Sequence, residues 1–167
     1  VQDVVFAGDR GMLSPKRIAE VSALGFRTLT ALTHPQIRDL LERKVIQMGL
    51  FDEREPVEVH DPEQQSLRYL LCKNPNTAAD ERQTRQDLIA QTRQALEKLA
   101  ASRKKRTELE LSAKVGAALA KWRVAKFFSW RIEKARLVFE IDQALVQAEE
   151  ALDGCYIIRT DVADQVW

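Results

Sequence analysis

The sequence predicts an α+β protein, with a small strand–helix–strand unit first and helical and antiparallel segments after it. Three observations support this class. Residues 4–33 contain two β-favouring runs on either side of a helical repeat. Residues 77–121 show the helical spacing of apolar side chains, and residues 127–141 alternate apolar and polar side chains as antiparallel strands do.

The composition excludes several classes of protein. Of the 167 residues, 45% are hydrophobic and 31% are charged, with 6 Gly and 5 Pro, which excludes collagen, low-complexity and fully disordered chains. We expect no membrane span, because no apolar run approaches the ~20 residues required, and we find no signal peptide pattern. Cys72 and Cys155 lie in apolar runs and are expected to be buried, reduced thiols of a cytosolic protein rather than zinc ligands.

The first unit begins with residues 4–9 (VVFAGD), which predict a short buried strand that ends on the carboxylate of Asp9. Ser14-Pro15 is suited to the start of a helix and Gly25 to its end. Residues 26–33 (FRTLTALT) predict a second strand. Strand, helix and strand within about 30 residues form a βαβ unit, which is normally right-handed and belongs to a parallel sheet.

The middle of the chain has a different character. Residues 37–48 predict a helix that ends at a glycine, and residues 57–71 alternate as an antiparallel pair that closes near Asp61-Pro62. Two longer helices follow, at about residues 77–106 and 108–121. We expect these two helices to pack as an antiparallel pair.

The last third contains a second pair of alternating segments, residues 127–133 and 137–141. Their connection, Lys134-Ala135-Arg136, lacks Gly and Asn, so we expect a loop that is looser than a two-residue turn. Residues 144–152 predict a helix and residues 155–160 a final strand. The sequence leaves open whether that strand pairs with the first unit or with the hairpin.

Asp9 is the first candidate functional residue. It follows a parallel strand, at the edge where open α/β sheets place their ligand sites, and Gly8 and Gly11 would let the backbone turn closely around it. A carboxylate is a suitable ligand for Mg²⁺. On spacing alone, however, the more common role of such an aspartate is to cap a turn or a helix.

Two segments carry a resemblance to a known family. The run VVFAGDRGMLSPKRIAEVSALGFRTLTAL resembles the segment around the second catalytic Asp of DDE transposases from bacterial insertion sequences, most of all the "insertion sequence four" group. The later run ALDGCYIIRTDV resembles the D-G-x-Y-x-x-R-T segment that the same group carries before its catalytic Glu helix. The two motifs occur in the family's order and span nearly the whole chain.

The resemblance implies a partial ribonuclease-H-like βαβ core with a large inserted domain made of a helical hairpin and antiparallel strands. Residues 1–33 would belong to the core, residues 34–153 to the insertion domain, and residues 154–167 to a strand returning towards the Glu helix. The family's reaction is metal-dependent cleavage and strand transfer of DNA at transposon ends, with Mg²⁺ or Mn²⁺ held by three carboxylates. A homodimer in the cytoplasm of a bacterium is also implied.

Only one of the three carboxylates maps onto this sequence, and it is Asp9, as catalytic residue and metal ligand. The first Asp would precede Val1, and the Glu of the family's Tyr-Arg-Glu-Lys type motif would follow Trp167. Asp161 and Asp164 come too early to replace that Glu. Both ends therefore resemble cuts through a longer protein, and we expect this chain alone not to cleave DNA.

The charge is unevenly distributed along the chain. The formal net charge is +1, but residues 103–136 carry +8 and the remainder carries −7. A basic segment of this kind is suited to bind phosphates, although a solvated surface is the usual explanation of a charge run. With the family resemblance, we predict these DNA contacts: Arg10, Lys121, Arg123, Lys126, Arg131 and Tyr156.

Aromatic side chains are further candidates, because related transposases stack an aromatic residue on a displaced base, and stacking contributes roughly 1–3 kcal/mol per base. Tyr156 is the predicted residue, with Trp122 and Trp130 also in or near the basic segment. Packing in the core is the alternative for Trp130 and Tyr156.

Two other functions are compatible with the sequence. The long helix could be a coiled-coil arm of a non-enzymatic interaction or dimerisation module, although sustained heptads are lacking. The chain could instead be a small α/β enzyme that binds a phosphorylated ligand at Gly8–Gly11, although the loop lacks a phosphate-binding Lys and a glycine-rich fingerprint.

Overall fold

The computed structural model describes residues 4–104 and 106–162, which form an α+β fold as the sequence predicts. In that part of the chain there are seven strands and five α-helices. Their bounds, in chain order, are β1 Val5–Gly8, α1 Pro15–Ala23, β2 Arg27–Ala31, α2 His34–Glu42, β3 Val57–His60, β4 Arg68–Lys73, α3 Pro75–Ala100, α4 Glu108–Lys121, β5 Phe128–Glu133, β6 Arg136–Ile141, α5 Gln143–Glu150 and β7 Cys155–Thr160.

Five strands form one mixed sheet in the order β1-β2-β7-β4-β3, and β5 and β6 form a separate two-stranded sheet. Strands β1 and β2 are parallel, as the βαβ prediction requires. Strand β7 runs antiparallel to both β2 and β4. The last strand therefore pairs with the first unit and with β4, which answers the question that the sequence left open.

The chain divides into two compact units. One contains the described residues up to Ala78 together with those from Gly154 onward, and the other contains the described residues between Ala79 and Asp153. Residues 34–78, which the resemblance assigns to the insertion, share the larger sheet because β4 pairs with β7 along six residues. The extent of an insertion domain, as the family defines it, stays a prediction.

The first strand is not buried, contrary to the prediction. Val5 and Phe6 of β1 keep 37% and 42% of their surface exposed. The reason is that β1 lies at the edge of the sheet, where β2 is its only neighbour within the described residues. The Phe6 ring instead packs edge-on against Phe26, with 5.3 Å between ring centroids. The core of this unit lies deeper, around the fully buried Ile37, Leu71 and Ile157.

Helix boundaries follow the capping signals where the sequence has them. The Ser14 side chain accepts a hydrogen bond from the Arg17 N–H at 3.3 Å, as an N-cap does. Helix α2 ends at Glu42, earlier than predicted, because the chain turns at Lys44, which has a φ of 58°. Helix α3 ends at Ala100 rather than near residue 106.

The second unit has its own hydrophobic core, to which α3, α4, β5, β6 and α5 all contribute. Its buried side chains are Leu96, Leu111, Val115, Leu119, Val124, Phe127, Phe128, Leu137 and Val146. The predicted hairpin is confirmed, with Phe128 opposite Ile141 and Trp130 opposite Phe139. Helices α3 and α4 thus share one core.

The connection of this hairpin is tighter than predicted. Only Lys134 and Ala135 separate β5 from β6, and their φ angles are 48° and 61°. Positive φ at both central residues defines the two-residue turn that Asn-Gly normally forms. The expected looser loop is therefore wrong, because the pairing of Glu133 with Arg136 extends the ladder to the last residue of each strand.

Cys72 and Cys155 are both free thiols, and Cys155 is buried. Cys72 is only partly buried, and desolvation by burial raises the pKa of its thiol. Among the described residues, no helix combines the length and the apolar character that crossing a membrane requires.

Candidate functional site

Asp9 lies directly after β1, in a tight turn. The Met12 N–H donates to the Asp9 carbonyl at 3.0 Å, and Gly11, the third residue of the turn, has a φ of 79°. A β-turn with positive φ at this position favours glycine. The Asp9 side chain is exposed, and its Oδ1 accepts the Arg10 N–H at 2.6 Å. The G-D-R-G segment therefore holds an exposed carboxylate in a defined turn.

Arg10 connects this turn to the start of β7. Its Nη2 donates to the Cys155 carbonyl oxygen at 3.4 Å, and its guanidinium carbon lies 5.6 Å from the centroid of the Tyr156 ring. Its Nη1 also lies 3.4 Å from Nε2 of His34. These are long contacts, and a cation–π pair at this distance contributes about 0.5–1 kcal/mol when exposed and more when desolvated. Two predicted DNA-contacting residues, Arg10 and Tyr156, are thus neighbours, although 145 positions separate Arg10 from Cys155.

The described residues do not form a complete metal centre. Residues 4–104 and 106–162 contain no cluster of three or more His, Cys, Asp or Glu side chains that could hold a metal ion. Asp9 could supply one ligand. Asp161 accepts hydrogen bonds from the backbone N–H and the hydroxyl of Thr28, at 2.6 and 3.3 Å, and so ties the end of β7 to β2. Asp164 lies outside the described residues.

The four basic residues predicted from the middle of the chain are all exposed in the second unit, but their charges differ in availability. Lys126 is paired with Glu149 at 2.9 Å, and Arg131 with Glu133 at 2.6 Å.

The other two have no carboxylate at ion-pair distance in the described part of the chain. Lys121 lies over the Trp122 ring, with its Nζ 4.6 Å from the centroid, and Arg123 has a φ of 56°. The charges of these two are therefore the more available for an anionic ligand.

A group of five cations near one opening was not selected as a site from the sequence. A cavity of about 610 Å³ lies between the segment after α3 and the β5–β6 turn. Its basic lining residues are Arg103, Lys104, Arg106, Lys134 and Arg136. The charge run in residues 103–106 is visible in the sequence, but the proximity of Arg103, Lys104 and Arg106 to the hairpin turn depends on the tertiary fold.

The aromatic candidates differ in exposure. Trp130 keeps 37% of its surface exposed on β5, so it is not a fully packed core residue. Trp122 and Tyr156 are both partly buried. The accessible surface of Trp130 is sufficient for contact with a ligand, whereas the Tyr156 ring already contacts Arg10.

Comparisons with protein-family models, with curated proteins and with solved structures find no match to this chain. The transposase resemblance therefore depends on the two motifs of the sequence.

Proposed function

We propose that this chain is the central part of a DDE-type transposase, in which Asp9 is one of three carboxylates that direct cleavage and joining of DNA strands. The observation that carries the proposal is the proximity of the two motif segments. Arg10 of G-D-R-G contacts the backbone of Cys155 and the ring of Tyr156, both within D-G-x-Y. Segments far apart in sequence that serve one site have to meet in the fold.

The arrangement around β1 gives further support. Strands β1 and β2 are parallel and are joined through α1, with Asp9 following the C-terminal end of β1, as a ribonuclease-H-like core requires. The exposed apolar side chains of Val5 and Phe6 lie on a strand whose second edge has no partner among the described residues. A strand bearing the family's first Asp would pair with that edge.

The metal ions of the family would supply the charge that activates the attacking oxygen and stabilises the departing one. Because Asp9 is the one carboxylate assigned to that role here, the proposal needs residues outside these 167. The same proposal includes Mg²⁺ or Mn²⁺ as the metal, DNA as substrate, a homodimer of the full protein and a bacterial cytoplasmic location.

The coding sequence on either side of this chain tests the proposal directly. We expect an Asp at the end of a predicted strand upstream and a Tyr-Arg-Glu-Lys type helix downstream. Flanking sequence that lacks both features would overturn the proposal.

Asp9→Asn tests the role of the carboxylate in the complete protein. The Asn Oδ1 can still accept the Arg10 N–H, so the turn is retained while the negative charge is lost. We expect strand cleavage with Mg²⁺ or Mn²⁺ to fall by at least roughly a thousandfold, with DNA affinity unchanged.

The matched control for that variant is Asp80→Asn, at an exposed position on α3. It should cleave DNA at the normal rate. The 167-residue chain alone should give no metal-dependent nicks in supercoiled DNA. Nicking by this chain, or normal cleavage by the Asp9→Asn protein, would contradict the proposal.

A DNA-binding module without catalysis is the second candidate, and the cationic cavity of the second unit is the observation that favours it. The two functions differ in the complete protein. A binding module would have DNA affinity and no cleavage activity that depends on Asp9.

A further inference from the structure

The cavity between the segment after α3 and the β5–β6 turn has a one-sided electrostatic character. Among the described residues that line it, five are basic and none is a carboxylate. Like charges that line one opening repel each other, and this repulsion is stronger near a protein surface than in bulk water. The convergence of cations therefore raises the energy of the ligand-free protein and favours binding of a polyanion.

The turn that presents two of these cations is conformationally costly. Lys134 and Ala135 both have positive φ, although neither is Gly or Asn. A left-handed conformation costs an ordinary L-residue roughly 1–2 kcal/mol. This turn places Lys134 and Arg136 on the cavity lining, where they lie near Arg103, Lys104 and Arg106.

From these observations, we propose that this cavity binds the phosphodiester backbone of duplex DNA. The inference rests on the proposed function for the choice of DNA as the polyanion, but binding here requires no chemistry at Asp9. The site is additional to the contacts predicted at Lys121, Arg123, Lys126 and Arg131, none of which lines the cavity.

The lining favours a duplex over a single strand. Proteins that bind single strands combine a basic groove with aromatic side chains on which the bases stack. The described part of the lining contains no aromatic side chain, and its large apolar side chains are Leu99 and Leu111. The lining therefore provides contacts to phosphates and none for stacking with bases.

The extent of the surface favours a chain of phosphates over a single anion. A second opening at the hairpin tip shares Lys134 and Arg136 with the first. Glu133 lines that second opening, but its carboxylate is paired with Arg131. Successive phosphates along a DNA strand could therefore contact the cations that line the two openings.

Fluorescence anisotropy with the 167-residue chain and a labelled duplex tests the site. One double variant is Lys134→Asn with Arg136→Gln, where Asn suits the left-handed backbone. A second, at a different part of the lining, is Arg103→Gln with Lys104→Gln. The matched control is Lys98→Gln with Lys114→Gln, at exposed positions of the same unit outside the cavity.

For each cavity variant we expect roughly 30-fold weaker binding at about 150 mM salt, and a slope of log K against log salt that is smaller by about 2. The control should bind within about twofold of the wild type, because it loses the same charge away from the cavity. The circular dichroism spectrum and the melting temperature establish that each variant is folded. If one cavity variant fails to fold, the other still provides the test.

Three results would overturn the inference: no salt-dependent binding of duplex by the wild type, an equal loss in the control variant, or tighter binding of the single strand than of the duplex. The Asp9→Asn chain separates this inference from the proposed function, because it should bind duplex with wild-type affinity. If both cavity variants bind the duplex with normal affinity, the cavity is rejected as a DNA site. The proposed function is not affected by that result, because it depends on whether the complete protein needs Asp9 for cleavage.

Discussion

At Asp61, burial of a carboxylate is balanced by three hydrogen bonds. Its Oδ1 accepts the N–H groups of Glu63 and Gln64 at 2.9 and 3.0 Å, and its Oδ2 accepts the Tyr69 hydroxyl at 3.0 Å. Burial opposes ionisation, but these hydrogen bonds outweigh it and hold the pKa of Asp61 below its ordinary value. The charged carboxylate thus fastens the β3–β4 connection.

The same contact affects Tyr69 in the opposite direction. Burial, and then the hydrogen bond to Asp61, raises the pKa of Tyr69 to about 12. The unfolded chain loses this proton near pH 10, so the stability that Tyr69 contributes is lost as the pH rises from about 10 to about 12. The depressed pKa of Asp61 has its effect on the acid side, where stability is lost as the pH falls through the folded-state pKa.

Tyr69→Phe should lower the free energy of unfolding by about 1–3 kcal/mol at neutral pH, because it leaves Asp61 Oδ2 buried without this donor. It should also reduce the acid-side pH dependence and abolish the tyrosine titration near pH 12. Urea unfolding and tyrosinate absorbance measure these effects. The control is Tyr156→Phe, which removes the other of the two tyrosines. Equal destabilisation by both substitutions would contradict the assignment.

At the scale of elements, one glycine determines how β7 begins. Gly154 has a φ of 69°, and a Cβ at this position would clash with the Asn74 carbonyl oxygen and with Ala78. The Asn74 N–H also donates to the Gly154 carbonyl at 2.9 Å. The glycine of the D-G-x-Y motif thus has a structural explanation that is independent of any catalytic role.

Gly154→Ala should lower the free energy of unfolding by about 3 kcal/mol, because both the backbone conformation and the space exclude a side chain. Gly116→Ala is the opposite case, since Gly116 lies inside α4 and a Cβ added there would meet no other atom within 4 Å. That substitution should raise stability by up to about 1 kcal/mol. Denaturant unfolding of both proteins measures the difference. Changes in the free energy of unfolding of equal sign and size for the two variants would contradict this explanation of Gly154.

Elements with a local signal were predictable from the sequence. Helix α4 begins at the predicted residue because Thr107 and Glu110 form a capping box. The end of α2 and the β5–β6 turn were missed because Lys44, Lys134 and Ala135 adopt positive φ without being Gly or Asn. In these cases tertiary packing imposes a conformation that the residue itself does not favour.

The candidate site was predictable only in part. Asp9 and Arg10 were selected from a motif, but the contact of Arg10 with Tyr156 depends on the pairing of β7, which no local pattern encodes. The sequence likewise shows the basic residues of the cationic cavity as a charge run, but it does not show that they line one cavity. Charge is a property of composition, whereas the proximity of Arg103, Lys104 and Arg106 to the hairpin turn is a property of the fold.

At the scale of the whole molecule, charge is separated along the chain. The +8 of residues 103–136 lies entirely within the second compact unit, and the compensating −7 is in the rest of the chain. A near-neutral total therefore coexists with a segment that can attract a polyanion.

This distribution predicts unequal effects among the four basic residues first selected. Lys121→Glu with Arg123→Glu should weaken binding of duplex DNA more than Lys126→Glu with Arg131→Glu, because the second pair is already neutralised by Glu149 and Glu133. Both variants change the charge equally, so each is the other's control. Binding titrations at about 50 and about 200 mM salt measure the effect. The reverse order would show that the carboxylates are displaced when DNA binds.

The position of β7 also has a consequence for synthesis of the protein. Strand β4 ends at Lys73 and β7 begins at Cys155, yet β7 lies between β4 and β2 in the sheet. At about 5–20 residues per second, the ribosome needs on the order of 4–16 s to deliver the missing strand. During that interval β2 and β4 each expose an unpaired edge on the nascent chain. The order of translation thus leaves two strand edges open to pairing with other chains until the last strand emerges.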